Sequence, residues 1–452
     1  MQDRLADIIN KLRSNCDYLD IRLEESTYLQ LAINNGQASQ LISESSIGGA
    51  VRVCTKGGWG FVSFNDVSSL EDCAKRAAEQ AKAIGRGKTA LAPVEPIVAE
   101  FTSELIDSPA NHSLDEKMEL LFHYDDVVRS ESANPSSVVK YGETFSSKTF
   151  ASSEGSFIRQ ELVDLFLGAN ALIKHKDIVQ KGKVEAGSSN DFGEVLGLED
   201  RIAQQCKLAS EVVRSDEVKA GKYTVIIDPV LAGLFVHEAF GHLCEADNYL
   251  EDPTLASVLA MGKTIAAPLL NIYDSGVDLG TRGRVPFDDE GVPSEKTYLV
   301  REGKLVGRLH SRETAALMNE KPTGNGRAAS YRYKPLCRMR NTCIEGGKTS
   351  FADMLSEVKN GLYLLGCQGG FSCEDFSFNS LYGYVIERGK LKGMLRPAAL
   401  TGNIWHTLKN ISAVGDDFVI IDSPGGCCKG DQPHLAVSFG SPHIKIENIL
   451  VS

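Results

Sequence analysis

Apolar residues recur at helical spacing over the first dozen positions (Leu5, Ile8, Ile9, Leu12), which predicts an amphipathic helix. The period then changes to two. The segments YLDIRLEES, YLQLAINN, ASQLISESS and GGAVRVCTKGGWGFVSF alternate apolar with polar residues. The turn residues between them, Asn34-Asn35-Gly36 and Lys56-Gly57-Gly58, predict short antiparallel strands joined by hairpins. Helical spacing returns over Leu70–Ile84 after Ser68-Ser69, over Leu114–Ser130 after Ser113, and over Leu198–Arg214. Between the last two, VVKYGETFSSKTFASSEG and SFIRQELVDLFLGANALI alternate as a meander, and SSNDFGEVLG (188–197) reads as polar and flexible. Residues 1–217 are therefore expected to form an N-terminal α+β domain built on an antiparallel sheet with helices.

The polar stretch SDEVKAGK (215–222) is the best boundary, and residues 218–452 form the second expected domain. YTVII (223–227) reads as a buried strand. Asp228-Pro229 is then a strong helix start, an N-cap acceptor followed by proline at the first helical position, and the helix should run to about Asp247. Beyond it come strands and long loops: GRVPFDDEG, KTYLVREGKLVGRL, TCIEGG, GLYLLGCQGG, LYGYVIERGKLKGML, DFVIID and HIKIENILV. The expected fold class is α+β in two domains, the C-terminal one a β-rich sheet or barrel-like body around one helix.

Composition narrows the function classes. A chain of 452 residues with 48 Lys+Arg, 60 Asp+Glu and a net charge of −12 is ordinary globular protein. It has no basic stripe, which argues against direct nucleic-acid contact. Its eleven cysteines are scattered, and the first helix carries charges that a signal peptide lacks. No apolar stretch approaches the roughly 20 residues that span a bilayer. The expectation is a cytoplasmic chain with free thiols and no membrane segment.

The chemistry concentrates in LFVHEAFGHLCEAD (234–247), where His237, Glu238 and His242 sit among apolar neighbours. Metalloprotease helices usually carry two ligand histidines at i and i+4, with a general-base Glu after the first. Here the spacing is i to i+5. On an ideal α-helix that separates the two side chains by about 140°, against about 40° for i+4. If both imidazoles bind one metal, the helix must widen or bend between them, and a π-bulge eased by Gly241 would do so. A catalytic zinc needs a third protein ligand. Cys244, Glu245, Asp247, Cys427 and Cys428 are the candidates, and a thiolate beside two imidazoles suits zinc over magnesium or calcium. Glu238, next to a ligand, is placed to act as the base in amide hydrolysis. The bland alternative is a helix with two satisfied histidines and an exposed Glu.

Several segments together resemble the TldD/PmbA family, formerly called modulators of DNA gyrase, and the resemblance is to its metal-bearing TldD-type members. They are GGAVRVCTKGGWGFVSF, SSEG (152–155), TVIIDPVLAGLFVHEAFGHLCEAD, DDEG (288–291), HSRETAA (310–316), TGNGRA (323–328), RMRNTCIEGG (338–347), DFSF (375–378) and the Cys-Lys-Gln region near 427–432. The resemblance implies a zinc peptidase acting on small or unfolded peptides. It implies His237 and His242 as metal ligands with a cysteine near the C-terminus, and Glu238 as catalytic base. Alignment on Lys429 and Gln432 selects Cys427, and alignment back from Ser441-Pro442-His443 selects Cys428; Cys427 is favoured. The resemblance also implies a homodimer, or a heterodimer with a metal-free sister subunit. GCQGGF (366–371) and DFSF are candidates for a sheet edge that binds extended peptide, or for a plain hairpin and core strand. His310 and Arg327 fall in family segments and are expected on loops near the site. Asp288-Asp289-Glu290 reads as a solvated turn. The other readings are a non-catalytic binding or regulatory subunit, against which the intact His237, Glu238 and His242 argue, and a DNA-associated regulator, against which the charge argues.

Overall fold

The protein is described by a computed structural model covering residues 2–131, 135–372, 374–422 and 424–452. Its first half is one large sheet. Strands β1 (Tyr18–Asn34), β2 (Gln37–Thr55), β3 (Gly58–Phe64), β4 (Val98–Thr102), β5 (Ser136–Ser152), β6 (Phe157–His175) and β7 (Ile178–Ser188) lie in the order β3-β2-β1-β5-β6-β4, with β7 also on β6. All neighbours are antiparallel except β4 on β6. The two hairpin turns are as expected. Asn35 and Gly36 have φ of 50° and 78°, Lys56 and Gly57 of 51° and 74°, the paired left-handed conformation of a type I′ turn.

The strands differ from expectation in length. YLDIRLEES and YLQLAINN are one 17-residue strand, and ASQLISESS runs on into GGAVRVCT as one 19-residue strand. The reason lies in what covers them. Helices α1 (Gln2–Leu12) and α2 (Leu70–Ile84) bury one end of the sheet around Leu19, Ile21, Val51 and Val53. Helices α3 (Leu114–Ser130) and α4 (Glu199–Val212) bury the other end around Leu31, Ile33, Val139 and Leu165. Between the two cores Glu24–Thr27 are largely uncovered, so the apolar alternation lapses without a turn. SSNDFGEVLG is also not loose: Phe192 and Val195 are buried, and the Phe192 ring stacks on His112 at 3.9 Å.

In the second half five strands close into a barrel: β8 (Gly221–Ile227), Ile444–Val451, Ala399–Asn403, Asp375–Glu387 and Asn360–Ser372, the last pairing back to β8. A six-stranded sheet that includes Ile272–Ser275, Asn341–Ile344 and Ser438–Ser441 lies beside it. The helical segment after β8 shares its core with both, through Leu231, Phe235, Phe240, Ile272, Leu364 and Ile444. Among the described residues no helix is long and apolar enough to cross a membrane.

GRVPFDDEG forms a loop, not a strand, and its acidic run is not solvated. Asp288 and Glu290 are 2% and 3% exposed, because the loop is pressed against the first sheet. Arg52 holds Asp20 through Nη2 at 2.6 Å and Glu290 through Nη1 at 2.9 Å. The Arg312 backbone N–H donates to Glu290 at 2.7 Å, while Arg22 and Lys148 face Asp289 at 3.6 and 3.4 Å. The two halves are joined by this buried ionic seam.

Candidate metal centre

β8 ends at Ile227, and the carboxylate of the next residue, Asp228, accepts the Leu231 N–H at 2.9 Å and caps helix α5 (Pro229–Phe235). The same oxygen accepts the Gly366 N–H at 3.0 Å, tying the start of this helix to the barrel strand beside it. Burial raises the Asp228 carboxyl to about 6, against the pull of those two N–H groups. A raised value means that folding favours the protonated form. That stabilisation is complete below about pH 4 and lost as the pH rises through about 6. Asp228→Asn keeps a capping side chain, so it is expected to match the parent near pH 4 and exceed it by about 2 kcal/mol at pH 8 in urea unfolding. Equal offsets at both pH values would contradict this.

After Phe235 the α-helical ladder gives way. Val236–Gly241 form a π-turn and His242–Cys244 a 3₁₀ turn, and the His242 N–H donates to the carbonyl of His237 five residues back. The wider turn brings i and i+5 onto one face. The two imidazoles meet at 5.4 Å between centroids, nearly perpendicular at 80°. Gly241 permits this fit: a Cβ there would lie 2.2 Å from the Met339 sulfur. The expected helix to Asp247 is therefore interrupted, and a new one starts at Ala246.

The remaining ligand candidates separate cleanly. Cys427, on the short strand Cys427–Lys429, is 4% exposed and places Sγ 3.5 Å from Nε2 of His242. One donor atom each from His237, His242 and Cys427 lies within 4.8 Å of the other two. Cys428 is exposed and turns to Nδ1 of His434 at 3.2 Å. Cys244 is buried in the apolar core, Glu245 faces Nδ1 of His242 at 3.1 Å, and Asp247 pairs with Lys429 at 2.6 Å. His310 bonds Thr314 and Glu320, and Arg327 bonds the carbonyls of Met339 and Ala436, so neither side chain joins the group.

The donor set fits a metal. Nδ1 of His237 is buried without a hydrogen-bond partner, an expensive arrangement for an imidazole with no further role. Burial pushes His237 well below the usual histidine range, reinforced by His242 and Arg338, so it is a neutral donor. Burial would also lower His242, but hydrogen bonds with Cys427 and Glu245 outweigh it and hold its pKa near 11. A soft divalent ion could take the place between Nε2 of His242 and Sγ of Cys427, and two imidazoles with one sulfur donor suit zinc. Glu238 puts Oε2 3.8 Å from Nε2 of His242 and keeps 40% of its side chain exposed. Burial raises its carboxyl, His242 opposes this and Glu245 adds to it. It is a carboxylate beside the donors, open to substrate.

Three neighbours were not read as such from the sequence. Lys429 contacts Glu245 and Asp247, the fully buried Arg338 donates to the Cys427 carbonyl, and the Ser372 hydroxyl donates to the Glu238 carbonyl at 2.7 Å. Only Lys429 left a signal: two residues past Cys427 in a strand, it shares that residue's face.

Residues 19–81 match the PmbA/TldA metallopeptidase domain 1, residues 107–216 its central domain and residues 220–452 its C-terminal domain. The chain is 39% identical over 450 residues to metalloprotease slr0863 of Synechocystis, covering 99% of this chain and 97% of that one. It is 32% identical to metalloprotease MJ0996 of Methanocaldococcus jannaschii, covering 94% and 95%. The crystal structure of TldE from Thermococcus kodakarensis superposes with a TM-score of 0.80 over 99% of each chain at 18% identity, a likeness of fold.

Proposed function

The chain belongs to the PmbA/TldD metallopeptidase family, and we propose that it is a zinc-dependent peptidase acting on small or unfolded peptides, with His237, His242 and Cys427 as ligands and Glu238 as general base. The observation that carries this is the convergence of three donors: the π-turn brings His237 and His242 onto one face, and the strand Cys427–Lys429 adds Cys427, all within 4.8 Å of one another beside an accessible carboxylate. Zinc held there would polarise a peptide carbonyl and make a nearby water more acidic. Glu238 accepts the proton of the attacking water and returns it to the leaving amine. Its raised pKa suits both halves of that exchange.

The barrel supports an extended substrate. Strand Asn360–Ser372 pairs with β8 only over Gly361–Leu364, while on its other side it stays paired with Asp375–Glu387 out to Ser372. Among the described pairings, residues 367–372, beyond the Gly366 N–H held by Asp228, therefore have one edge without a partner strand, which ends at the Ser372–Glu238 contact. Backbone groups on such an edge bind peptide as an added strand, with little demand on its side chains.

The test is metal content and hydrolysis of an unstructured peptide by the full chain, beside Cys427→Ala and Cys428→Ala. The expected outcome is about one zinc per chain, hydrolysis stopped by a chelator and restored by zinc, metal lost in Cys427→Ala and kept in Cys428→Ala. A parent chain that takes up no zinc when it is supplied would overturn the reading in favour of a binding subunit.

A further inference from the structure

His242 is held from behind. Its Nδ1 lies 3.1 Å from Oε2 of Glu245, whose side chain is only 1% exposed. The same oxygen is 3.1 Å from Nζ of Lys429. Lys429 also reaches Asp247 at 2.6 Å and donates to the Cys337 carbonyl at 2.9 Å. It stands two residues after Cys427 on the same short strand. One buried carboxylate thus touches the back of one ligand and, through a lysine, the strand that carries another.

We propose that Glu245 is a positioning residue for the metal: it fixes the proton of His242 on Nδ1, aims Nε2 at the Cys427 thiol, and through Lys429 sets the spacing between these two ligands. The proposal rests on the reading of His237, His242 and Cys427 as the ligand set. A neutral imidazole offers one lone pair, and the hydrogen bond made by the other nitrogen decides which. With Nδ1 facing Glu245, Nε2 is the nitrogen left for a metal, and it already faces Sγ at 3.5 Å. The backbone explains why Glu245 can do this. His242–Cys244 form a 3₁₀ turn, in which residues three apart eclipse, and Glu245 closes it as the C-cap (φ −72°, ψ 117°). The family's three ligands alone would leave His242 free to rotate. Outer partners of this kind are worth about 10–100-fold in metal affinity.

Zinc dissociation constants, measured on the full chain by competition with a chromogenic chelator, test this. Glu245→Ala is expected to weaken zinc about 10–100-fold. Glu245→Gln is expected to lose less, because its amide oxygen still accepts the Nδ1–H. The same Glu245→Ala change made on His242→Ala should cost less than about threefold, since the residue it positions is gone. In Glu245→Gln, the cobalt-substituted chain should keep its thiolate charge-transfer band while its ligand-field bands shift, a signature that a general loss of packing does not give. Affinity of Glu245→Ala within threefold of the parent, or an equal loss in the His242→Ala background, would overturn the proposal and leave the ligand set standing. A parent chain without zinc affinity would overturn both.

Discussion

Glu238→Gln is expected to retain its zinc and to lower kcat for peptide hydrolysis by about 10²–10⁴-fold, with KM little changed. The change removes a proton acceptor and almost nothing else. Glu238 is not one of the three converging donors, its side chain is 40% exposed, and the Ser372 hydroxyl bonds its backbone carbonyl, so packing and metal retention survive the substitution. A neutral amide cannot take a proton from water near pH 7. Burial already keeps the Glu238 carboxyl above the ordinary range, and a base poised closer to neutrality transfers protons both ways more readily. Steady-state kinetics with metal analysis on the same preparation decide the matter. Activity within tenfold of the parent at equal zinc content would assign the base elsewhere.

Arg52→Met is expected to cost about 3–5 kcal/mol of stability at pH 7, measured by urea unfolding. Arg52 compensates two buried carboxylates at once, Asp20 in its own sheet and Glu290 across the seam, with side chains 0% and 3% exposed. Methionine fills similar space but leaves both buried carboxylates without the guanidinium that pairs with them directly. Arg312 offers Glu290 one backbone N–H, and Asp20 has no second cation among its ion pairs in the described residues. A loss below 1 kcal/mol would mean that water reaches the seam. The same argument predicts that replacing Arg52, Asp20 and Glu290 together by apolar residues is far milder than replacing Arg52 alone.

Local signals in the sequence carried a good part of this fold and site. Ser113 announces the start of α3, Asn35-Gly36 the first hairpin, and Asp228-Pro229 the helix that leads to the histidines. The five-residue spacing of His237 and His242 demanded a non-α turn if both were to bind one metal, because a regular helix would make them diverge, and the turn is there. What stayed hidden is long-range. Arg52 and Glu290 are 238 positions apart, so nothing near Asp288-Asp289-Glu290 distinguishes a buried acidic turn from a solvated one. The two central lengths of β1 and β2 looked like breaks because alternation reports coverage by helices, not strand continuity. The choice between Cys427 and Cys428 also escaped local reading: adjacent residues in a strand point opposite ways, and only the packed hairpin shows which one turns inward.

His242 and Cys427 lie 185 positions apart, and the strand that leads into the histidines pairs with the final strand, Ile444–Val451. A growing chain cannot close this barrel until residues 444–451 have been made, nor bring the Cys427 thiol to the imidazoles until residue 427 has. Until the two segments meet the histidines lack their third donor, and the entropy of closing so long a loop opposes the contact. Any metal taken up by the proposed ligand set would therefore be captured only after two segments far apart in the chain have folded together.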